Sequence, residues 1–203
     1  MTVDIAQVQQ FHGHLCPGLA IGIRVAEKAV AEMGERPGDE EVVALVETDN
    51  CAVDAIQFIT GCTFGKGNLI NLDYGKNAFR FIRRKDGKAI RIVVKSDFGK
   101  TPTPEEEQVM QRIRNGNASA DDRQESDRIR QDRIESILSA PLDELLDVQT
   151  IRAEIPARAR IFSSVACDQC GEKTMEIRLH VLGGKKYCPE CFTAKMAASS
   201  RYD

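Results

Sequence analysis

Four cysteines near the end of the chain, Cys167, Cys170, Cys188 and Cys191, follow the pattern C-x2-C-x17-C-x2-C. Each CxxC turn aims two thiolates at one ion, and two such turns close a tetrahedron with no open position, so the spacing predicts a structural metal site. Zinc fits best. An iron–sulfur cluster or rubredoxin-like iron uses the same ligands, and four incidental cysteines or a redox dithiol are the readings without a metal. With four sulfurs at hand, His180, in the alternating stretch Met175 to Leu182, reads as a surface or strand histidine rather than a ligand.

A second constellation lies in the first third of the chain. His12, His14 and Cys16 alternate along a loop, and in an extended segment alternate side chains point the same way. Asp49 or Asn50 reads as a helix N-cap, which places Cys51 in the first turn, where the dipole and free N–H groups lower a thiol's pKa. Asp54 shares that face of the helix. Cys62 lies about 16 Å further along a straight helix, too far to share an ion whose ligands sit within about 2.3 Å. The better three-ligand set is therefore His14 or His12 with Cys16 and Cys51, and it leaves a coordination position open, as catalytic and substrate-binding metal sites do. Cys62 then belongs to the other end of a pocket. For each thiol the alternative is a buried structural cysteine.

The turn Gly61-Cys62-Thr63-Phe64-Gly65-Lys66-Gly67-Asn68 departs from a P-loop: its first glycine is one spacer short, and Gly67 stands where Ser or Thr would hold magnesium. It can still offer backbone N–H groups and Lys66 to an anion, although a plain tight turn explains it more simply. Cys16, Cys51, Cys62 and Lys66 are the candidate catalytic residues. Cys167, Cys170, Cys188, Cys191, His14, Cys16 and Cys51 are the candidate metal ligands.

These residues need elements to hold them. Asp4 caps a short helix through Phe11, and the loop 12–18 follows. Pro17 suits the first turn of a helix that runs to Met33 and stops at Gly34, with one buried face from Leu19, Ala20, Ile23, Ala26, Ala29, Val30 and Met33. Gly38-Asp39 turns the chain into an apolar strand from Glu41 to Val46. A helix from Cys51 to Thr60 ends at Gly61. Leu69 to Tyr74 follows, then Ala78 to Arg83 and Ala89 to Lys95 joined by the hairpin signal Asp86-Gly87.

Composition changes at Thr101. From Glu105 to Asp147 the chain is rich in Glu, Asp, Arg and Gln, and narrow apolar stripes predict two or three helices. So thin an arm must lie on the first domain or on a second copy of the chain, unless it is a solvated linker. The expected organisation is an α+β core over residues 1–100 with a mixed or antiparallel sheet packed with helices, a helical arm over 101–160, and a C4 zinc finger over 161–203.

The chain has 203 residues and a formal net charge of -3, with a hydrophobic share of 42% and a charged share of 29%. That is the balance of a soluble globular protein. It offers no general attraction to phosphate backbones, so nucleic-acid binding would need a local basic face. No apolar run approaches the roughly 18 residues of a spanning helix, and the N-terminus lacks the basic and apolar regions of a signal peptide. A cytoplasmic protein without membrane attachment is expected. Seven cysteines, an odd number with no secretion signal, argue against a disulfide framework.

With these residues placed, the chain resembles the E-subunit family of formylmethanofuran dehydrogenase. The resemblance rests on Phe11-His12-Gly13-His14-Leu15-Cys16-Pro17-Gly18, on the run from Glu47 to Lys76 with Asp49, Cys51, Asp54, Gln57, Thr60-Gly61-Cys62 and Gly65-Lys66-Gly67-Asn68, and on the late CxxCGE with its second CxxC. It covers the first hundred residues closely and the last forty as an appended finger. It implies an α+β core, often dimeric with interlocking elements, and a treble-clef-like finger. It further implies a pocket lined by His14, Cys16, Cys51 and Cys62, with metal bound there in some members. The family name implies association with a molybdenum- or tungsten-dependent oxidoreductase and its other subunits. A zinc-finger regulatory, metal-sensing or metal-delivery protein without catalysis of its own is the competing reading.

Overall fold

The computed structural model describes residues 3–34, 41–96, 98 and 102–199. The expected turn at Gly38-Asp39 lies outside them. The chain divides into two compact units, Met1–Arg158 and Ala159–Asp203.

The first unit is α+β. Helix α1 (Ile5–His12) is capped by Asp4, whose carboxylate accepts the N–H groups of Ala6 and Gln7. Helix α2 (Pro17–Met33) begins on Cys16, whose Sγ accepts the Leu19 N–H at 3.3 Å, with Pro17 in the first turn, where a missing N–H costs nothing. Strand β1 (Val42–Val46) is followed by α3 (Ala52–Thr60), then β2 (Leu69–Asn71) and the hairpin β3 (Ala78–Arg83) and β4 (Ala89–Val94). At the start of α3, Asn50 Oδ1 accepts the Ala52 N–H at 3.0 Å, so Asn50 supplies the capping oxygen from one residue before the N-cap, Cys51.

The arm forms α4 (Pro104–Arg114), α5 (Ala120–Ser139) and the single turn α6 (Leu142–Leu145). Capping boxes at Thr103/Glu106 and Ser119/Asp122 start the two long helices. Asp122 also accepts Arg112 Nε and Nη2, which clasps α4 to α5. Ile134 and Ile137 of α5 are buried in the same core as α2, so this apolar stripe is covered within the chain. The helical reading through Asp147 is corrected at its end. Leu146–Thr150 is a strand, β5, antiparallel to β4, because Leu146 and Val148 alternate toward the core while Asp147 and Gln149 do not.

The sheet order is β2-β1-β3-β4-β5, with β2 parallel to β1 and the other neighbours antiparallel. Ala44, Val46, Phe79, Phe81, Ile90 and Ile92 turn one face to α2, α3 and α5. Alternate positions put Glu47, Arg80 and Arg91 on the opposite face. Glu47 has no exposed surface, and its carboxylate accepts Arg80 Nε at 2.8 Å and Arg91 Nε and Nη2 at 2.8 Å each.

The second unit is small. Hairpins β6 (Ser164–Ala166) with β7 (Lys173–Met175) and β8 (His180–Leu182) with β9 (Lys185–Tyr187) precede α7 (Pro189–Ser199). Its buried apolar residues are Cys167, Tyr187 and Cys191. Among the described residues no helix is long and apolar enough to cross a membrane.

Candidate metal centres

In the second unit each hairpin brings one CxxC turn to the same point. The sulfurs of Cys167, Cys170, Cys188 and Cys191 all lie within 4.8 Å of one another, and Cys170 and Cys188 are 4.0 Å apart. Sulfurs at the corners of a zinc tetrahedron with bonds of about 2.3 Å are separated by about 3.8 Å, so the four fit that ion closely. Backbone N–H groups point at the sulfurs. Those of Cys170 and Cys188 contribute most to holding the Cys167 thiol down to about 6, and the Cys188 N–H lies 3.3 Å from its sulfur. His180 is exposed on β8 and stacks on Phe192 at 4.4 Å between ring centroids, outside the sulfur cluster.

The other cluster is built where α1 ends and α2 begins. Gly13 stops α1 with a left-handed φ of 99°, a conformation other side chains resist, and so folds His14 back beside His12. The two rings lie 4.7 Å apart. His12, His14 and Cys16 each offer a ligand atom within 4.8 Å of the other two. His12 Nδ1 donates to Asp54 Oδ2 at 2.7 Å, and His12 Nε2 is buried without a hydrogen-bond partner among the described residues. An imidazole whose Nδ1–H is held by a carboxylate presents the lone pair of Nε2, the arrangement found behind metal-bound histidines.

Cys51 stands next to this group. A Cβ built on Gly18 would lie 3.2 Å from Cys51 Cβ, 3.8 Å from Cys16 Sγ and 3.9 Å from Cys51 Sγ, so both thiols converge over that glycine. One helical turn on, a Cβ at Gly22 would stand 2.4 Å from the Ala52 carbonyl oxygen. The absence of side chains at both positions lets α2 and α3 approach closely enough to bring their first residues together. The expected lowering of the Cys51 pKa is corrected: burial, and then the Cys16 thiol beside it, push it up against the helix dipole.

The structure thus brings both histidines to Cys16 and sets Cys51 alongside. Cys62 is elsewhere, at the opposite end of α3. It is 1% exposed in the hydrophobic core and its thiol donates to the Val42 carbonyl at 3.4 Å; burial raises its pKa. Lys66 lies in the turn beyond, with its backbone N–H on Thr63 Oγ1 at 3.3 Å and its charge felt at Cys62. Neither belongs to the His12–His14–Cys16 group. Sequence reasoning placed Asp54 on the face of Cys51 but did not connect it with His12. The two are far apart along the chain, and only the packing of α1 on α3 joins them. The Glu47–Arg80–Arg91 cluster also escaped it, although an acid directly after an apolar strand and an arginine on each strand of a hairpin were its visible marks.

The fold and these clusters define a metal-binding α+β protein with an appended C4 zinc finger. Residues 11–147 match the family model described as FmdE, molybdenum formylmethanofuran dehydrogenase operon, and residues 160–195 match that of the prokaryotic dksA/traR C4-type zinc finger. The chain belongs to the FmdE family. A curated relative, a probable S-adenosyl-L-methionine-binding protein of Archaeoglobus fulgidus, is 33% identical over 189 residues, covering 88% of this chain and 50% of its own length. The chain therefore spans about half of that relative. The crystal structure of a tungsten formylmethanofuran dehydrogenase FmdE-like protein from Syntrophus aciditrophicus superposes with a TM-score of 0.62 at 24% identity, over 94% of this chain and 90% of that one. That likeness is one of fold.

Proposed function

We propose that this protein holds two metal ions, a structural zinc in the finger and a second ion in a Cys/His pocket where a small substrate is positioned. In this reading His12, His14 and Cys16 are ligands of the second ion, Cys51 is a neighbouring thiol that adjusts the set, and a fourth coordination position stays open. The observation that carries the reading is the His12 imidazole, which has Nδ1 anchored on Asp54, a buried Nε2 without a hydrogen-bond partner among the described residues, and a ring nitrogen within 4.8 Å of the ligand atoms of His14 and Cys16. A buried polar atom without a partner is rare and costs about 1–3 kcal/mol, which a metal bond would recover.

Family membership supports the wider setting: a cytoplasmic homodimer associated with the subunits of a molybdenum- or tungsten-dependent oxidoreductase of the formylmethanofuran dehydrogenase type. Metal analysis of the purified protein tests the central claim. Two equivalents per chain are expected, falling to one in Cys16→Ser and in His12→Ala with the finger's ion retained. A single equivalent in the unaltered protein, lost only on substitution of the finger cysteines, would remove the second centre.

A further inference from the structure

Arg80 and Arg91 lie directly opposite each other on β3 and β4. Two like charges in that position repel, and Glu47 between them relieves the repulsion with one negative charge for two positive ones. The surplus continues beyond the sheet. Where β3 begins and β4 ends there is a cavity of about 430 Å³, and Lys76, Arg91, Lys95 and Arg133 all line it. Among the described lining residues there is no acid. Asp147 attracts Arg91 from β5 but does not line the cavity.

Two of these cations are uncommitted. On α5, Arg128 and Arg130 are paired with carboxylates one turn away, whereas Arg133 and the Lys76 side chain have no hydrogen-bond or ion-pair partner among the described residues. Lys95 gives one proton to the Asp143 carbonyl at 2.7 Å and has two left. Ile21, Phe98 and Ile137 give the cavity an apolar wall. Four cations and an apolar wall in a volume of this size are the components of a small-molecule site.

We propose that this cavity binds a small organic anion, a carboxylate or phosphate ester with an apolar body. Lys76, Lys95 and Arg133 hold the anionic group, while Arg91, fixed by Glu47, contributes a preorganised charge. The inference does not depend on the metal centre, although the two share one end of the sheet: the Lys76 N–H donates to the Glu47 carbonyl, and Cys51 follows shortly after Glu47 in the chain.

Calorimetric titration of the full-length, metal-loaded protein with phenyl phosphate and with benzoate tests the proposal, with inorganic phosphate and acetate as comparisons. Saturable one-to-one binding of at least one aromatic probe is expected, tighter than that of inorganic phosphate or acetate. Lys76→Gln combined with Arg133→Gln should weaken it by about a hundredfold, the scale of two lost charge-assisted hydrogen bonds. Arg128→Gln on the same helix should leave it unchanged, and so should Cys16→Ser. Absence of saturable binding, inorganic phosphate binding as tightly as the organic probes, or indifference to the double substitution in a variant with unaltered thermal stability would each overturn it. Loss of binding in Cys16→Ser alone would move the ligand to the metal centre and overturn it equally.

Discussion

Asp54 accepts the Nδ1 proton of His12 and thereby selects Nε2 as the nitrogen available to a metal. Asp54→Asn keeps the volume but exchanges a charged acceptor for a neutral amide. Loss of such an outer partner lowers metal affinity by about 10- to 100-fold. Competition with a chelator should show that drop at the N-terminal centre while the finger's ion stays put, and unchanged affinity would contradict the role given to Asp54. Glu47 is the other decisive residue. Its hydrogen bonds from Arg91 and then Arg80 outweigh burial and hold its carboxyl down from 4.5 to about 2. A carboxyl lowered by folding stabilises the native state above its unfolded value, and that stability is lost as pH falls from 4.5 through about 2. The span corresponds to about 3 kcal/mol. Urea unfolding of Glu47→Gln at several pH values should show a deficit of that order near neutrality which shrinks below pH 4.5. A deficit independent of pH would rule out the ionised carboxylate as its source.

At the scale of elements, the decisive contact is between α2 and α3. A methyl group at Gly22 would stand 2.4 Å from the Ala52 carbonyl oxygen and 2.6 Å from its Cα, so Gly22→Ala forces two backbones apart. Overpacking of this kind costs about 1–3 kcal/mol. Because Cys16 and Cys51 are the N-caps of these helices, the variant should melt at lower temperature and also bind the N-terminal ion more weakly. Tight binding in a destabilised variant would separate the site from the helix pair. Both helices were legible in the sequence, since apolar three- and four-residue steps, Pro17, Gly34 and Gly61 mark them locally. The hairpin at Asp86-Gly87 was legible for the same reason. β5 was not. Leu146 and Val148 give an alternation of only two core positions directly after a helical turn, and the strand that pairs with it lies on the far side of the whole arm. The metal cluster was half legible: alternation grouped His12, His14 and Cys16, but nothing local told that Asp54 would reach His12 or that Cys62 would turn into the core.

At the scale of the whole molecule, the second unit stands out for how little it buries. A core of Cys167, Tyr187 and Cys191, with Cys188 and Phe192 packed on it, cannot by itself offset the entropy of ordering the unit, so the ion must supply the difference. Chelation that strips the finger should abolish amide protection from β6 to α7, and Cys167→Ser should do the same without chelator; persistent protection in the stripped protein would show that the core suffices. The first unit is organised on a different plan. Val94 and Leu146 face each other across the sheet, so α4, α5 and their connections are, topologically, one hairpin loop swollen by helices. α5 is anchored by Ile134 and Ile137, while α4 leans on α5, and the exposed Gly116–Asn117 turn joins them. Lengthening a closed loop costs only about 0.6 kcal/mol per doubling. That turn is accordingly a graft point: a foreign domain spliced there leaves strand register and both metal clusters untouched, and evolution could fit this scaffold with new appendages by the same route.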